Sequence, residues 1–263
     1  MVSGGVMIAP GVCHFGGTAQ PQRWNLAAHF GLSTFNGGFI HYRVPIFGYI
    51  ATVVLAYLLG SIPTGFLVGK ARGIDIRTIG SGNIGATNVF RHFGRVAAIV
   101  VLAVDALKGF VAVALLTRLV WHVFGKTGTA TEREALEIIA GLAAVLGHNF
   151  TCWLRFKGGK GIATSAGVLV ALVPYALLII LAVWIIVMAL TRFVSLASIC
   201  ASATLPFATW ATGGSPTMIG ITAAMTTLAI YKHKSNIQRL LNGTESRLGR
   251  SAPAQPPSPK PSP

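Results

Sequence analysis

Acidic side chains are nearly missing from this chain: 6 Asp and Glu stand against 21 Lys and Arg in 263 residues, and all charged residues together make only 10% of it. A soluble globular domain is excluded by that scarcity together with 53% hydrophobic residues and a mean hydropathy of +0.67. Cysteine is scarce too. Cys13, Cys152 and Cys200 have neither CxxC nor Cys/His metal spacing, and their odd number gives no disulfide framework, so they read as free thiols. A Walker A loop is lacking as well. "GFLVGKA" at 65–71 has the wrong spacing and Ala where Ser or Thr would hold magnesium, and in "GGKGIAT" a glycine follows Lys160, which disfavours a nucleotide-driven pump. Residues 1–43 lack the basic, apolar and small-residue order of a signal peptide and read as a poorly ordered extension.

What is present is a series of long apolar runs. The formal charge of +15 is scattered between them, a pattern of topogenic loops and anionic-lipid contact, so no nucleic-acid partner is expected. Val44 to Gly69 is almost wholly apolar and long enough to cross about 30 Å of hydrocarbon. Gly65 and Gly69 on it form a GxxxG, a mark of close helix packing. Val96 to Trp121 is a second span, interrupted by Asp105 and Lys108, whose i,i+3 spacing suits an intramembrane pair or a proton relay. Leu136 to Leu154 is a third. The run from Ile162 to Leu190 carries Pro174, where a helix loses a hydrogen bond, and reads as one tilted helix or two short ones. Phe193 to Trp210 and Pro216 to Tyr231 follow, and the Pro/Ser-rich segment 251–263 predicts disorder.

Charge decides between these alternatives. Lys70, Arg72, Arg77, Arg91 and Arg95 fill the first loop, Glu132, Glu134 and Glu137 the second, and "RFKGGKG" makes the third basic again; Lys232, Lys234, Arg239, Arg247 and Arg250 follow the last span. Basic loops stay inside. Parity then requires a break at Pro174, which makes seven elements with the N-terminus outside. The expected fold is an all-α integral membrane protein, a seven-helix bundle of residues 44–250 with short or re-entrant helices.

Three polar clusters then share one membrane face: "SGNIGATNVFR" at 81–91, "GHNFTCWLRFKGGKGIATS" at 147–165 and "HKSNIQRLLNGTE" at 233–245. In the first, Gly82 and its neighbouring glycines let backbone N–H groups approach an anion. Ser81, Asn83, Thr87 and Asn88 add donors, and Arg91 brings a phosphate-matching guanidinium. The competing reading is a solvated Gly/Asn turn. Lys157 and Lys160 flank two glycines at a helix start, as phosphate ligands or as membrane-surface anchors. His148 reads as structural. His233, Asn236 and Arg239 fall on one helical face, so His233 could deprotonate or orient a substrate hydroxyl, with Glu245 orienting a donor. Ser195 and Ser198 are helix-packing serines unless they face the same pocket.

In these three motifs, in this order, the sequence over residues 44–250 resembles the PlsY family of bacterial acyl-phosphate:glycerol-3-phosphate acyltransferases. Ile84 departs from the family's usual proline, and residues 1–43 have no counterpart there. The resemblance implies acyl transfer from acyl phosphate to the 1-hydroxyl of glycerol 3-phosphate, giving lysophosphatidic acid and phosphate, without cofactor or metal. It implies a multi-pass protein of the bacterial inner membrane whose site faces the cytoplasm among membrane lipid. A soluble acyl-phosphate-forming enzyme is the implied partner. By motif position, Ser81, Gly82, Thr87 and Asn88 would cradle phosphate. Arg91, Lys160, Ser198, His233 and Asn236 would hold glycerol 3-phosphate, with Glu245 supporting His233 and Ser195 competing with Ser198. A transporter for a phosphorylated metabolite is the main alternative from another class, and a binding-only lipid scaffold a third; a transporter should place its polar groups near the bilayer midplane.

Overall fold

A computed structural model describes residues 44–125 and 128–249. Residues 1–43, the segment 251–263, Cys13 and Arg250 lie outside the described residues; Cys152 and Cys200 are free thiols. The described chain is helical: α1 (Ile46–Ser61), α2 (Thr64–Lys70), α3 (Ala86–Val111), a π turn (Ala112–Leu116), α4 (Thr117–Phe124), α5 (Ala130–Asn149), α6 (Ile162–Leu172), α7 (Pro174–Thr191), α8 (Val194–Ala211), α9 (Pro216–Lys232) and α10 (Lys234–Leu241). Five helical segments are long and apolar enough to cross a membrane: Ile46–Lys70, Ala86–Phe124, Ala130–Leu154, Pro174–Thr191 and Val194–Ala211. α6, with 11 residues, and α9, with 17, are shorter.

Hydropathy placed the apolar runs, while local chemistry set their ends. The first run is broken at Pro63, which has no N–H, so α1 stops at Ser61 and the chain restarts as α2. The second helix begins at Ala86, ten residues before the apolar run itself, which makes the second half of the first polar loop helical; Gly94, at φ 82°, kinks it. Thr129 and Glu132 form a reciprocal capping box that starts α5. Pro174 sits at the first turn of α7, so the run 162–190 is two helices and not one.

Burial follows the lipid-facing pattern of a bundle. α7 exposes Tyr175, Leu178, Leu181, Ile185, Ile186 and Leu190, an apolar face that only hydrocarbon would wet favourably. The largest buried cluster joins Val168, Ile180, Leu205 and Met225 from α6 to α9. α1 and α5 meet through Ala56, Ala140, Ala143 and Ala144, small residues that let helices approach closely where lipid supplies no hydrophobic drive. The Gly65/Gly69 pair lies against the polar loop and the first turn of α3, with the Val89 side chain 3.3 Å from a Cβ built on Gly65. A Cβ on Gly65 would collide with the Ile84 carbonyl, so these glycines seat α2 against the polar loop.

Candidate active site

The first polar loop is a wrapped structure whose centre is one amide. Asp75 opens it, accepting the Arg77 N–H at 3.0 Å and pairing with the Arg77 guanidinium at 2.6 Å. That hydrogen-bonded ion pair holds the Asp75 carboxyl down at about 2. Asn88, 2% exposed, shares its two amide hydrogens among the carbonyls of Ile76 (3.2 Å), Ile79 (3.2 Å) and Asn83 (2.9 Å), and its Oδ1 accepts the Ser81 N–H at 3.1 Å. Both ends of the side chain are therefore spent on holding the loop. Asn83 Oδ1 accepts the Gly85 N–H at 2.8 Å. The turn needs Gly80, at φ 56°, where a Cβ would strike His92 and the Asn88 oxygen. Ile84 is buried in the cluster under the loop with Ile76, Val89 and Leu154. Ser81 and Gly82 lie exposed, and Thr87 is half-buried in the first turn of α3.

Four other segments converge on Glu245. Its Oε1 accepts from Ser195 Oγ of α8 and from Asn236 Nδ2 of α10, both at 2.8 Å, and its Oε2 accepts from Arg239 Nε at 2.7 Å. The same Asn236 accepts, through Oδ1, a hydrogen bond from Lys160 Nζ, which comes from the turn before α6. Arg91, near the start of α3, donates to the Ser246 carbonyl at 3.1 Å, next to Glu245. His233 joins α9 to α10; it is 3% exposed, and its Nδ1 lies 2.8 Å from the Ala229 carbonyl, which fixes Nδ1 as the donor and leaves the Nε2 lone pair free.

The electrostatics follow from this packing. Burial pushes the Lys160 ammonium down to about 8; Glu245 opposes that, and Arg239, Arg91 and Lys232 add to it. Burial, with Lys160 nearby, lowers His233 to about 4, so its imidazole is neutral at pH 7. Burial works against the Glu245 carboxylate, but the hydrogen bonds from Asn236, Ser195 and Arg239 outweigh it and hold the carboxyl below its ordinary value. Lys160, Arg91 and Arg239 face a single carboxylate. The excess of positive charge suits a phosphate dianion.

The structure brings together Arg91, Lys160, Ser195, Asn236 and Glu245, with His233 one residue before α10. Two sequence expectations are revised. Glu245 is bonded to Ser195, Asn236 and Arg239, and the His233 ring is oriented by a backbone carbonyl, so the direct support of His233 by Glu245 is not what the geometry shows. Ser198 does not reach the cluster: its hydroxyl donates to the Val194 carbonyl at 2.8 Å and accepts from Trp184 Nε1 at 3.2 Å. Lys157 lies elsewhere, lining a cleft of about 380 Å³ with Asp75, Arg77, Thr78, Gly82 and Gly158, where the Asp75 carboxylate is paired with Arg77. Arg239 and Arg77 were not singled out as site residues from the sequence. The three-residue spacing His233, Asn236, Arg239 was the available signal for the first; only the fold reveals the second.

An all-helical integral membrane bundle with a cationic, hydrogen-bonded cluster at the ends of its helices defines a membrane protein that handles an anion at the interface. The family model described as glycerol-3-phosphate acyltransferase matches residues 50–243, and the chain belongs to that family. A glycerol-3-phosphate acyltransferase of Sinorhizobium medicae is 47% identical over 201 residues, 76% of this chain and 92% of that one. One from Desulforudis audaxviator is 48% identical over 202 residues, 76% of this chain and 95% of the relative. The crystal structure of PlsY, an integral membrane glycerol 3-phosphate acyltransferase, in its glycerol 3-phosphate form superposes with a TM-score of 0.67 at 38% identity, covering 76% of this chain and 96% of that one. Its lysophosphatidic acid form gives 0.66 at 37% identity, covering 76% and 95%.

Proposed function

We propose that this protein acylates glycerol 3-phosphate at its 1-hydroxyl with acyl phosphate as donor, giving lysophosphatidic acid and inorganic phosphate, at the cytoplasmic face of the bacterial inner membrane. The observation that carries the reading is the hydrogen-bonded convergence of Lys160, Asn236, Glu245 and Ser195 beside Arg91, with positive charge in excess, at one end of an apolar bundle. Arg91 and Lys160 hold the phosphate of glycerol 3-phosphate. Asn236 and Ser195, aligned by Glu245, fix the glycerol hydroxyls. The loop around Ser81, Gly82, Asn83 and Thr87, shaped by Asn88, and Lys157 across the cleft take the donor's phosphate.

The 1-hydroxyl oxygen attacks the acyl carbonyl carbon, a tetrahedral intermediate forms, and the bond from that carbon to the phosphate oxygen breaks. Phosphate leaves with the electron pair. Polar N–H groups aimed at the developing oxyanion lower the barrier; removing one such donor typically costs about 100- to 1,000-fold in rate. For the hydroxyl proton the magnitudes favour the substrate. His233, at about 4, is a weaker base than a phosphate dianion, whose conjugate acid has a pKa of about 6. His233 Nε2 accepts a hydrogen bond from the 2-hydroxyl and so orients the glycerol, and a substrate phosphate oxygen takes the proton of the attacking 1-hydroxyl.

Topology supports the cytoplasmic assignment: Arg72, Arg155, Arg192, Lys234 and Arg247 lie in or beside the turns at the end that carries the cluster, while Glu132, Glu134 and Glu137 begin α5 at the other. The cluster sits at helix ends, where a transporter would place its polar groups at the midplane. The donor is supplied by a soluble acyl-phosphate-forming enzyme. Purified protein in detergent or lipid cubic phase should release phosphate from acyl phosphate only when glycerol 3-phosphate is present, and far faster than it uses acyl-CoA. Uptake of glycerol 3-phosphate into sealed vesicles without product would overturn the proposal.

A further inference from the structure

Asp105 and Lys108 lie within α3, 2% and 4% exposed, and their side chains bond to Thr64, the Ile62 carbonyl and His148 rather than to residues of the Glu245 cluster. The Lys108 ammonium has three protons and meets three acceptors: Asp105 Oδ1 at 2.8 Å, the Ile62 carbonyl at 2.9 Å and His148 Nδ1 at 2.9 Å. The Ile62 carbonyl is available because Pro63 breaks the helix there. Thr64, the next residue along, donates to the same Asp105 oxygen at 3.0 Å. An ammonium cannot accept, so Nδ1 of His148 is the unprotonated nitrogen and the ring carries its proton on Nε2. The ring is fixed in place as well as in tautomer. His148 is 5% exposed and its Nε2 edge presses on Gly159: a Cβ there would overlap Nε2 and lie 2.9 Å from Cε1 and 3.1 Å from Cδ2. The Gly159 N–H returns to the His148 carbonyl at 3.0 Å and the Gly158 N–H to the Asn149 carbonyl at 3.3 Å. Lys160 is the next residue.

We infer that the buried Asp105/Lys108 pair is a positioning device: it locks the His148 ring, the ring sets how closely the Gly158/Gly159 turn seats on α5, and that seating places Lys160 beside Asn236. Apolar residues of the same volume would pack this part of the bundle without the cost of burying two charges, so packing alone gives no reason for the pair. The inference rests on the assignment of Lys160 to glycerol 3-phosphate.

The test is a double-mutant cycle of Gly159→Ala and His148→Asn. Asparagine keeps an oxygen near the Nδ1 position for Lys108 but vacates the space over residue 159. Two readouts are taken: KM for each substrate, and the pH midpoint of Lys160 modification by an amine-reactive reagent, followed by mass spectrometry on substrate-free protein. Gly159→Ala should displace the turn, costing about 100-fold in kcat/KM for glycerol 3-phosphate, as an ångström of misplacement does. KM for the acyl donor should stay within about twofold, since the donor is held by the other loop. The double variant should recover activity relative to Gly159→Ala alone, and its Lys160 midpoint should return toward that of the wild type. Losses that multiply, or a midpoint unchanged in Gly159→Ala, overturn the inference. If Gly159→Ala does not fold, His148→Asn alone decides: a Lys160 midpoint identical to the wild type sinks the claim. The labelling needs no turnover. A wild-type protein that fails to use acyl phosphate would therefore refute the proposed function while the labelling still judged the positioning role.

Discussion

Lys160 Nζ donates to Asn236 Oδ1, a bond that spans 76 residues of sequence and ties the glycine turn before α6 to helix α10. It makes the charge of Lys160 part of the site's geometry, and burial sets that charge to be lost at about pH 8. The sign is direct. Below that pH the group is an ammonium, the form a phosphate ligand requires; above it the group is neutral. Since kcat/KM reports groups of the free enzyme, kcat/KM for glycerol 3-phosphate should fall with an alkaline limb near pH 8. Lys160→Arg, whose guanidinium stays charged, should remove that limb even if the maximal rate drops. A pH–rate profile of both proteins measures this.

His233 should contribute no inflection near its ordinary value, because burial holds it near 4. The unfolded state binds a proton at about 6.5 and the folded state only near 4. The stability linked to His233 is therefore complete above about pH 6.5 and is lost as pH falls toward 4. His233→Gln should flatten that acid-side loss in a thermal-unfolding series while reducing turnover.

Ser195 and Ser198 are separated by their hydrogen-bond partners in a way the sequence could not show. Ser195 donates to Glu245, whereas Ser198 closes a bond within its own helix and receives Trp184. Ser195→Ala removes a hydrogen bond to a charged group, worth about 1.5–3 kcal/mol, so kcat/KM for glycerol 3-phosphate should fall about 10- to 150-fold. Ser198→Ala should cost several-fold less. Equal losses in a side-by-side kinetic comparison would contradict the structural distinction.

What was legible in the sequence divides along physical lines. Apolar runs were readable because hydrocarbon selects on composition, and the split at Pro174 because proline at a first helical turn is a local signal. The break at Pro63 passed unnoticed: hydropathy is continuous from Val44 to Gly69, and a missing N–H does not register in it. The helical start at Ala86 was hidden by a Gly/Asn/Ser-rich motif that reads as loop. The polar residues of the candidate site were found by their types and motif order. Their partners were not, since Glu245 meets Ser195 across 50 residues and no spacing rule connects them. Asn88 was legible as a polar group near an anion, but its commitment to three carbonyls is a property of the folded loop.

That commitment makes Asn88 a strong test of the loop. Asn88→Ala leaves the carbonyls of Ile76 and Asn83 without this donor, while Ile79 keeps the Gly82 N–H at 3.0 Å, and each buried group left unsatisfied costs about 1–3 kcal/mol. Turnover should be abolished while far-UV circular dichroism stays helical, because the membrane-spanning helices keep their own backbone hydrogen bonds. Asn88→Asp keeps the oxygen that accepts the Ser81 N–H but sets a carboxylate against three carbonyls, and should be no better.

Arg91 should behave in the opposite way, since among the described residues its one side-chain hydrogen bond is to the Ser246 carbonyl at an exposed position. Little of the fold depends on it, and Arg91→Ala should move the detergent melting temperature by no more than a degree or two, as surface substitutions of within about 0.5 kcal/mol do. A guanidinium on phosphate makes charge-assisted bonds, so KM for glycerol 3-phosphate should rise by at least about tenfold, with Lys restoring part of the loss because it keeps the charge without the two-pronged geometry. KM for acyl phosphate should hardly change. Calorimetric melting and a two-substrate kinetic matrix on the same preparations measure both halves; unchanged kinetics would remove Arg91 from the site, whereas a large loss of stability would make it a structural tether for the segment after α10.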